Sequence, residues 1–233
     1  NAINALEDMM IATRHTNTPL KAGDKLCGTR VIPLVIDKRR LEEAERLAGG
    51  EPLLTLLPFR KGLRAGIVVT GSEVFYGRIA DKFTPVVESK LAAYGVSMPE
   101  RRVSDDAAAH IVEAISEVRA AGVDLVLCTG GMSVDPDDRT PAAIRESGAH
   151  IVTYGAPVLP GAMFLLGYYD DGVPVMGLPG CVMYARASIF DIVLPRVIAG
   201  VRVERGDLTR LGNGGLCLQC EVCTYPNCGY GKE

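Results

Sequence analysis

Between Arg64 and about Gly200, short apolar runs suited to buried strands alternate with stretches of helical periodicity. This alternation constrains the chain more than any other feature. Strands separated by helices pair in parallel and need helices on both faces, so the expected fold is α/β: a three-layer α/β/α arrangement around a mostly parallel sheet. Residues 66–70 read as the first buried strand, and a helix starts where Thr84 precedes Pro85 and stops at Gly95. A strand follows through Val103. Ser104, Asp105 and Asp106 then open a helix to about residue 121, the acids complementing the positive end of its dipole. The run DLVLC at 124–128 suits a central parallel strand. Thr140-Pro141 begins another helix, 162–169 and 173–177 read as strands, and a long helix is expected over 182–197 with a kink at Pro195.

The flanks differ. Residues 1–60 read as a small α+β segment: a helical stretch over 5–12, a turn at Gly23-Asp24, a β-branched run over 29–36, and a charged helix over 39–48 closed by Gly49-Gly50. The stretch 52–62 is the expected linker, 64–200 the main domain, and 206–233 a Gly- and Cys-rich tail that needs a metal or a partner surface to order it. A chain of 233 residues, 48% hydrophobic and 23% charged, can bury one full core, which excludes disorder throughout. With 25 basic against 28 acidic residues there is no cationic footprint for duplex nucleic acid. The 19-residue uncharged run 151–169 contains Gly155, Pro157, Pro160, Gly161 and Gly167, so it is not read as a membrane span. No charged-then-apolar leader is visible, so the expected compartment is the cytoplasm; the first residue is Asn1, which leaves room for residues upstream.

The strongest chemical signal is TGGMSVDPDDRTP at 129–141, placed after an apolar strand and before a helix. In an open parallel sheet that position is the carboxyl edge, where ligands bind. Gly130 and Gly131 let backbone N–H groups approach an anion, and Thr140 adds a helix N-terminus. Asp135, Asp137 and Asp138 share the loop. Carboxylates beside a phosphate cradle repel it unless a hard cation lies between, so the string implies Mg²⁺ and a phosphorylated ligand. The loop Gly177, Leu178, Pro179, Gly180 and the loop Thr70, Gly71, Ser72, Glu73 also follow strands, and all three should converge on one crevice.

Taken together, TGSE at 70–73, GRIAD at 77–81, SDD at 104–106, GGMSVDPDDRT at 130–140 and GLPG at 177–180 resemble the molybdopterin-binding domain of molybdenum-cofactor biosynthesis proteins. The SV after the glycines is similar to the molybdenum insertase branch, and DRTP followed by Ala142 is similar to the molybdopterin adenylyltransferase branch. The resemblance implies a three-layer fold, molybdopterin and Mg²⁺ as ligands with ATP or AMP, homo-oligomers, and other molybdenum-cofactor proteins as partners. It implies Asp138 as the acid associated with Mg²⁺ and catalysis, with Asp135 beside it, and Asp105 as a second acid. Glu73 and Asp81 match acids near the first strand of the insertases. Gly130, Gly131, Ser133 and Thr140 match positions that contact the pterin phosphate or its nucleotide, with Thr129 and the loops at 70–73 and 178–180 alongside. Two departures stand out: the stretch 158–163 (VLPGAM) lacks the flanking lysines of the insertases, and Cys181 and Val182 replace a polar amide and a proline. The implied function is Mg-nucleotide-dependent adenylylation of molybdopterin or molybdenum insertion. Alternatives are a noncatalytic cofactor carrier or sensor, and pyridine-nucleotide clean-up of the competence-damage-inducible type.

Of seven cysteines, Cys217, Cys220, Cys223 and Cys228 fall in the tail, and four thiolates so spaced suit Zn²⁺ or an iron–sulfur cluster. Cys27, Cys128 and Cys181 read first as small buried hydrophobes. His15, His110 and His150 form no triad or ligand set and read as surface or capping residues. No GxSxG elbow and no Walker loop is present.

Overall fold

In the computed structural model, which describes residues 1–133, 135 and 137–232, the chain forms two compact units, Asn1–Pro58 and Phe59–Glu233. In the first, β1 (Met9–Thr13) pairs antiparallel with β2 (Cys27–Val31), Met9 opposite Val31. Helix α1 (Lys38–Ala48) starts at Asp37, whose carboxylate accepts the Arg39 N–H at 2.8 Å, and ends at Gly49 with φ 70°. The expected helix over 5–12 is a strand instead. Met9, Met10, Ile11 and Ala12 fit either pattern locally, and the cross-strand ladder decides the outcome, helped by Asn4. The Asn4 side chain donates to the Ile11 carbonyl at 2.8 Å and accepts the Ile11 N–H at 2.7 Å. The β-branched run beyond Val31 leaves the ladder next to Pro33, which has no N–H to offer. Cys27, expected to be buried, is exposed on β2.

The second unit carries β3 (Arg64–Thr70), α2 (Ser72–Phe75), α3 (Phe83–Ala92), β4 (Ser97–Ser104), α4 (Ala108–Ala120), β5 (Leu125–Thr129) and α5 (Thr140–Glu146). There follow β6 (His150–Tyr154), β7 (Leu165–Tyr168), β8 (Pro174–Leu178), α6 (Ile189–Ile198) and α7 (Arg205–Arg210). They build one six-stranded sheet in the order β4-β3-β5-β8-β7-β6. The first four strands are parallel, β7 runs antiparallel to β8, and β6 antiparallel to β7. The sheet is therefore mostly parallel.

The layers follow from period-2 alternation in strands that are buried on both faces. Ile67 and Val69 of β3 face a core that includes Val87 and Leu91 of α3 and Val193 and Val197 of α6. Val68, between them, faces Ile111, Ile115 and Val118 of α4 and Ile144 of α5. Gly66 lets α4 sit close, since a Cβ there would lie 2.3 Å from Cγ1 of Val118. Each large aliphatic side chain so buried contributes about 1.5–3 kcal/mol, which makes this two-sided core the main source of the unit's stability.

The expected long helix over 182–197 is in two pieces: a single 3₁₀ turn (Gly180–Met183), then α6, started by a capping box between Ser188 and Asp191. Pro195 lies inside α6, and the helix continues past it to Ile198. A proline at this position leaves the carbonyl four residues earlier, that of Asp191, without a helical donor. The Tyr225 hydroxyl supplies one at 2.9 Å. Residues 206–233 lie in the second unit, with Leu208, Leu211 and Tyr230 buried in the same core as α6. No helix among the described residues is long and apolar enough to cross a membrane, and the uncharged run 151–169 holds β6 and β7.

Candidate functional site

Four parallel strands end side by side. In register, Thr70 of β3 lies opposite Ser104 of β4, Val69 of β3 opposite Thr129 of β5, and Thr129 opposite Leu178 of β8. The loops at 70–73, 104–106, 129–140 and 178–180 therefore leave one edge of the sheet at one level, as expected for a ligand crevice. They are also tied to each other. The Gly71 N–H donates to the Ser104 carbonyl at 3.0 Å, and the Ser72 N–H to Asp106 Oδ2 at 2.9 Å.

Beneath the rim lies a set of buried hydroxyls. Thr70, Ser104, Thr129 and Thr140 are each at most 4% exposed. The Thr70 hydroxyl donates to the Thr129 carbonyl at 3.1 Å and pairs with the Thr140 hydroxyl at 3.0 Å. Among the described residues, the Thr129 hydroxyl has no hydrogen-bond partner within the chain. A buried hydroxyl in that state is an uncompensated cost of about 1–3 kcal/mol, of the kind that marks strain or a ligand-completed site. The glycine pair is required by packing as well as by backbone angle. Gly130 has φ 85° and Gly131 φ 51°. A Cβ on Gly130 would lie 2.1 Å from the Thr70 carbonyl oxygen, and one on Gly131 2.8 Å from the Thr140 hydroxyl. Met132, next in the string, turns inward against Gly177 of β8.

The acids divide into two sets. Asp138 accepts the Ser133 N–H through Oδ2 at 2.5 Å, while the Asp137 and Asp138 N–H groups donate to Asp135 at 2.9 and 3.0 Å. Asp135 and Asp138 thus share one tight turn at the rim; Val134 and Pro136 of the same string lie outside the described residues. Asp105, on the neighbouring loop, accepts the Ala107 N–H at 3.0 Å and meets His110 Nδ1 at 2.9 Å. The Ala107 N–H, followed by the His110 contact, holds the Asp105 carboxyl below its ordinary value. Glu73 is exposed on α2. Asp81 is differently employed. It accepts from the Phe83 and Thr84 N–H groups, from the Thr84 hydroxyl, and from Arg101 Nη2 at 3.0 Å. Burial alone raises its carboxyl, but these donors outweigh it and hold the group below its usual value. Its visible work is to start α3.

The structure thus brings together Thr70, Gly71, Ser72, Asp105, Thr129, Gly130, Gly131, Ser133, Asp135, Asp138, Thr140 and Gly180 along one rim. Leu178 is buried in the core and Pro179 is also buried, so Gly180 is the exposed part of that loop. Sequence reasoning missed Tyr154. At the end of β6, its hydroxyl donates to the Ser133 carbonyl at 3.0 Å, and burial, then the Asp138 charge, raises its pKa. Only the sheet order, with β6 returning antiparallel at the edge, reveals that approach. Phe75, the last residue of α2, and Tyr76 after it are exposed and meet edge-to-face at 5.2 Å.

Among the described residues, no group of three or more His, Cys, Asp or Glu side chains is gathered to hold a metal ion. For Mg²⁺ at the rim this is compatible with the donor set, because Mg²⁺ takes one or two carboxylates and completes its shell with phosphate oxygens and water. Cys128 is fully buried in the core, its thiol pushed up to about 12 by burial. His110 and His150 are exposed and paired with Asp105 and Asp170.

Similarity to other proteins bears on the same residues. A family model described as "Probable molybdopterin binding domain" matches residues 66–199. A CinA-like protein of Mycobacterium sp. (strain MCS) is 38% identical over 83 residues, 36% of this chain and 20% of that protein. A CinA-like protein of Mycobacterium leprae (strain TN) is 38% identical over 83 residues, 36% of this chain and 19% of that protein. The aligned stretch spans about a fifth of the length of these curated relatives. A solved structure, the molybdopterin biosynthesis enzyme MoaB of Thermus thermophilus, superposes with a TM-score of 0.48 at 22% identity, covering 59% of this chain and 97% of that one. The family match takes in all four rim loops and more than half of the chain, and the chain belongs to the molybdopterin-binding domain family.

Proposed function

We propose that the chain binds a molybdopterin-type pterin phosphate at the rim formed by β4, β3, β5 and β8 and acts in maturation of the molybdenum cofactor, by Mg-nucleotide-dependent adenylylation of the pterin or by molybdenum insertion. The observation that carries this reading is the common level of the four strand ends. The Gly130-Gly131 turn, the Asp135–Asp138 turn and the loop at Asp105 all leave the sheet at this one edge, which supports their sharing a ligand. The orphaned Thr129 hydroxyl and the glycine turn suit a phosphate-bearing ligand. Asp138 and Asp135 are the residues that would hold Mg²⁺, which when bound offsets negative charge on phosphate oxygens. The chain's own part is positional: glycine-turn amides orient the phosphate, and the Ser133 N–H and Tyr154 keep the Asp138 loop in place.

The test is titration of anaerobically purified protein with molybdopterin, then addition of Mg-ATP with an assay for adenylylated product. Binding that requires the rim supports the reading, and Asp138→Ala should lower nucleotide-dependent turnover by about 10²-fold or more with the fold intact. Normal turnover in Asp138→Ala would overturn the catalytic assignment. Binding without product would leave insertion or the carrier role as the function of the same site.

The identity with CinA-like proteins favours a second reading, pyridine-nucleotide clean-up of the competence-damage-inducible type. Hydrolysis of a pyridine nucleotide by the purified chain, with no binding of molybdopterin, would select it.

A further inference from the structure

A half-open cavity of about 820 Å³ lies away from the rim loops at 70–73 and 129–140, between the segment after β8 and the end of the chain. Five of the seven cysteines line it: Cys181, Cys217, Cys220, Cys223 and Cys228. Cys181 is separated from the tail cysteines by more than thirty residues in sequence and reaches the same cavity because the 3₁₀ turn after β8 faces the returning chain.

The tail is fixed at both ends of its cysteine stretch. The Cys217 N–H donates to the Leu159 carbonyl at 2.8 Å, and the Leu159 N–H to the Gly215 carbonyl at 2.8 Å. Tyr225 is bonded to the Asp191 carbonyl, and the Tyr230 hydroxyl donates to the Pro160 carbonyl at 3.2 Å. Cys217 and Cys228 are accordingly part-buried on anchored backbone, and Cys181 is part-buried in the turn after β8. Between the anchors the chain arches outward. Cys220 and Cys223 are exposed there, Leu218 and Val222 are 80% and 73% exposed, and Arg186 Nη1 reaches the Glu221 carbonyl at 2.9 Å. The thiols share a cavity, but no three of them are gathered closely enough to hold a metal ion as they stand.

We propose that this cavity is a thiolate site for a soft divalent cation of the zinc class, which draws Cys181, Cys217 and Cys228 together as three ligands and takes either Cys220 or Cys223 as the fourth. A tetrahedral set of thiolates about 2.3 Å from the metal is the preferred sphere of such a cation, and soft sulfur selects it over Mg²⁺. Each thiol that binds releases one proton to solvent and none changes oxidation state. The part-buried thiols converge by side-chain rotation on their own backbone, and the arch brings in the fourth ligand, since its exposed cysteines carry little packing that must be broken. The site differs from a tail-only quartet by drawing on the turn that follows the rim's fourth strand.

The test uses the full chain, reduced and anaerobic, titrated with Co²⁺ and then Zn²⁺ without any pterin, so its outcome is independent of the proposed function. Expected are one Co²⁺ per chain with the intense visible bands of tetrahedral thiolate ligation, and their loss on adding Zn²⁺. Cys181→Ser and Cys181→Ala should each weaken Zn²⁺ binding at least about tenfold, with circular dichroism and the melting transition confirming the fold. Cys220→Ser or Cys223→Ser alone should weaken it less than about threefold, and the double variant as much as loss of Cys181. Unchanged affinity in both folded Cys181 variants, the absence of thiolate bands, or an iron–sulfur chromophore in protein isolated anaerobically would overturn the proposal.

Discussion

The hydroxyl of Tyr225 donates to the carbonyl of Asp191, the backbone acceptor that Pro195 leaves without a partner inside α6. The tail therefore completes a helix that its own sequence interrupts. Tyr225→Phe keeps the ring and removes only the donor, leaving a part-buried carbonyl unsatisfied. It should cost about 1–3 kcal/mol in urea unfolding, with an unchanged denaturant slope.

Gly130 and Gly180 are both rim glycines, but only one is constrained. Gly130→Ala places a Cβ against the Thr70 carbonyl at a φ of 85°, whereas a Cβ on Gly180 meets nothing within 4 Å. Gly130→Ala should destabilise the protein by about 1–3 kcal/mol and weaken pterin binding. Gly180→Ala should leave the melting temperature within about a degree or two. Thermal unfolding of the pair checks the contrast.

Thr129→Val separates stability from ligation. The hydroxyl it removes has no partner among the described residues, so the free protein should be unchanged or gain up to about 1 kcal/mol. If the bound ligand completes that hydroxyl, the same variant binds molybdopterin more weakly, measured by titration at constant Mg²⁺.

Asp81 predicts an acid-side dependence. Its folded pKa lies below the ordinary 3.8, so folding favours the ionised form. That contribution is complete above the unfolded pKa and is lost as pH falls through the lower folded value. Asp81→Asn should remove this dependence, so the stability difference between the wild type and Asp81→Asn narrows as pH falls below about 4. Acid titration of the unfolding midpoint reads it directly.

How far the fold could be read from sequence depended on whether neighbouring residues were enough to decide each element. The strands at 66–70 and 124–128 are buried on both faces, so their apolar runs carry the information themselves, and the rim loops follow from where such strands end. Residues 9–13 were misread because a five-residue apolar stretch has no period of its own, and its partner at 27–31 decides. Pro195 suggested a kink because its compensating donor, Tyr225, lies thirty residues downstream. Tyr154 and the shared cavity of Cys181 with the tail were hidden for the same reason, since both arise from contacts between distant segments. Asp81 was legible as an acid near the first strand, but its commitment to Thr84 and Arg101 was not.

The level ending of β4, β3, β5 and β8 separates the frame of this protein from its proposed binding rim. The residues that hold the sheet alternate along the strands, while those at the rim belong to four connections that, Met132 and Leu178 apart, lie outside both cores. Loops of that kind can be exchanged, lengthened or recharged without disturbing the ladder beneath them, so one scaffold can serve related chemistries by rewriting only its upper margin.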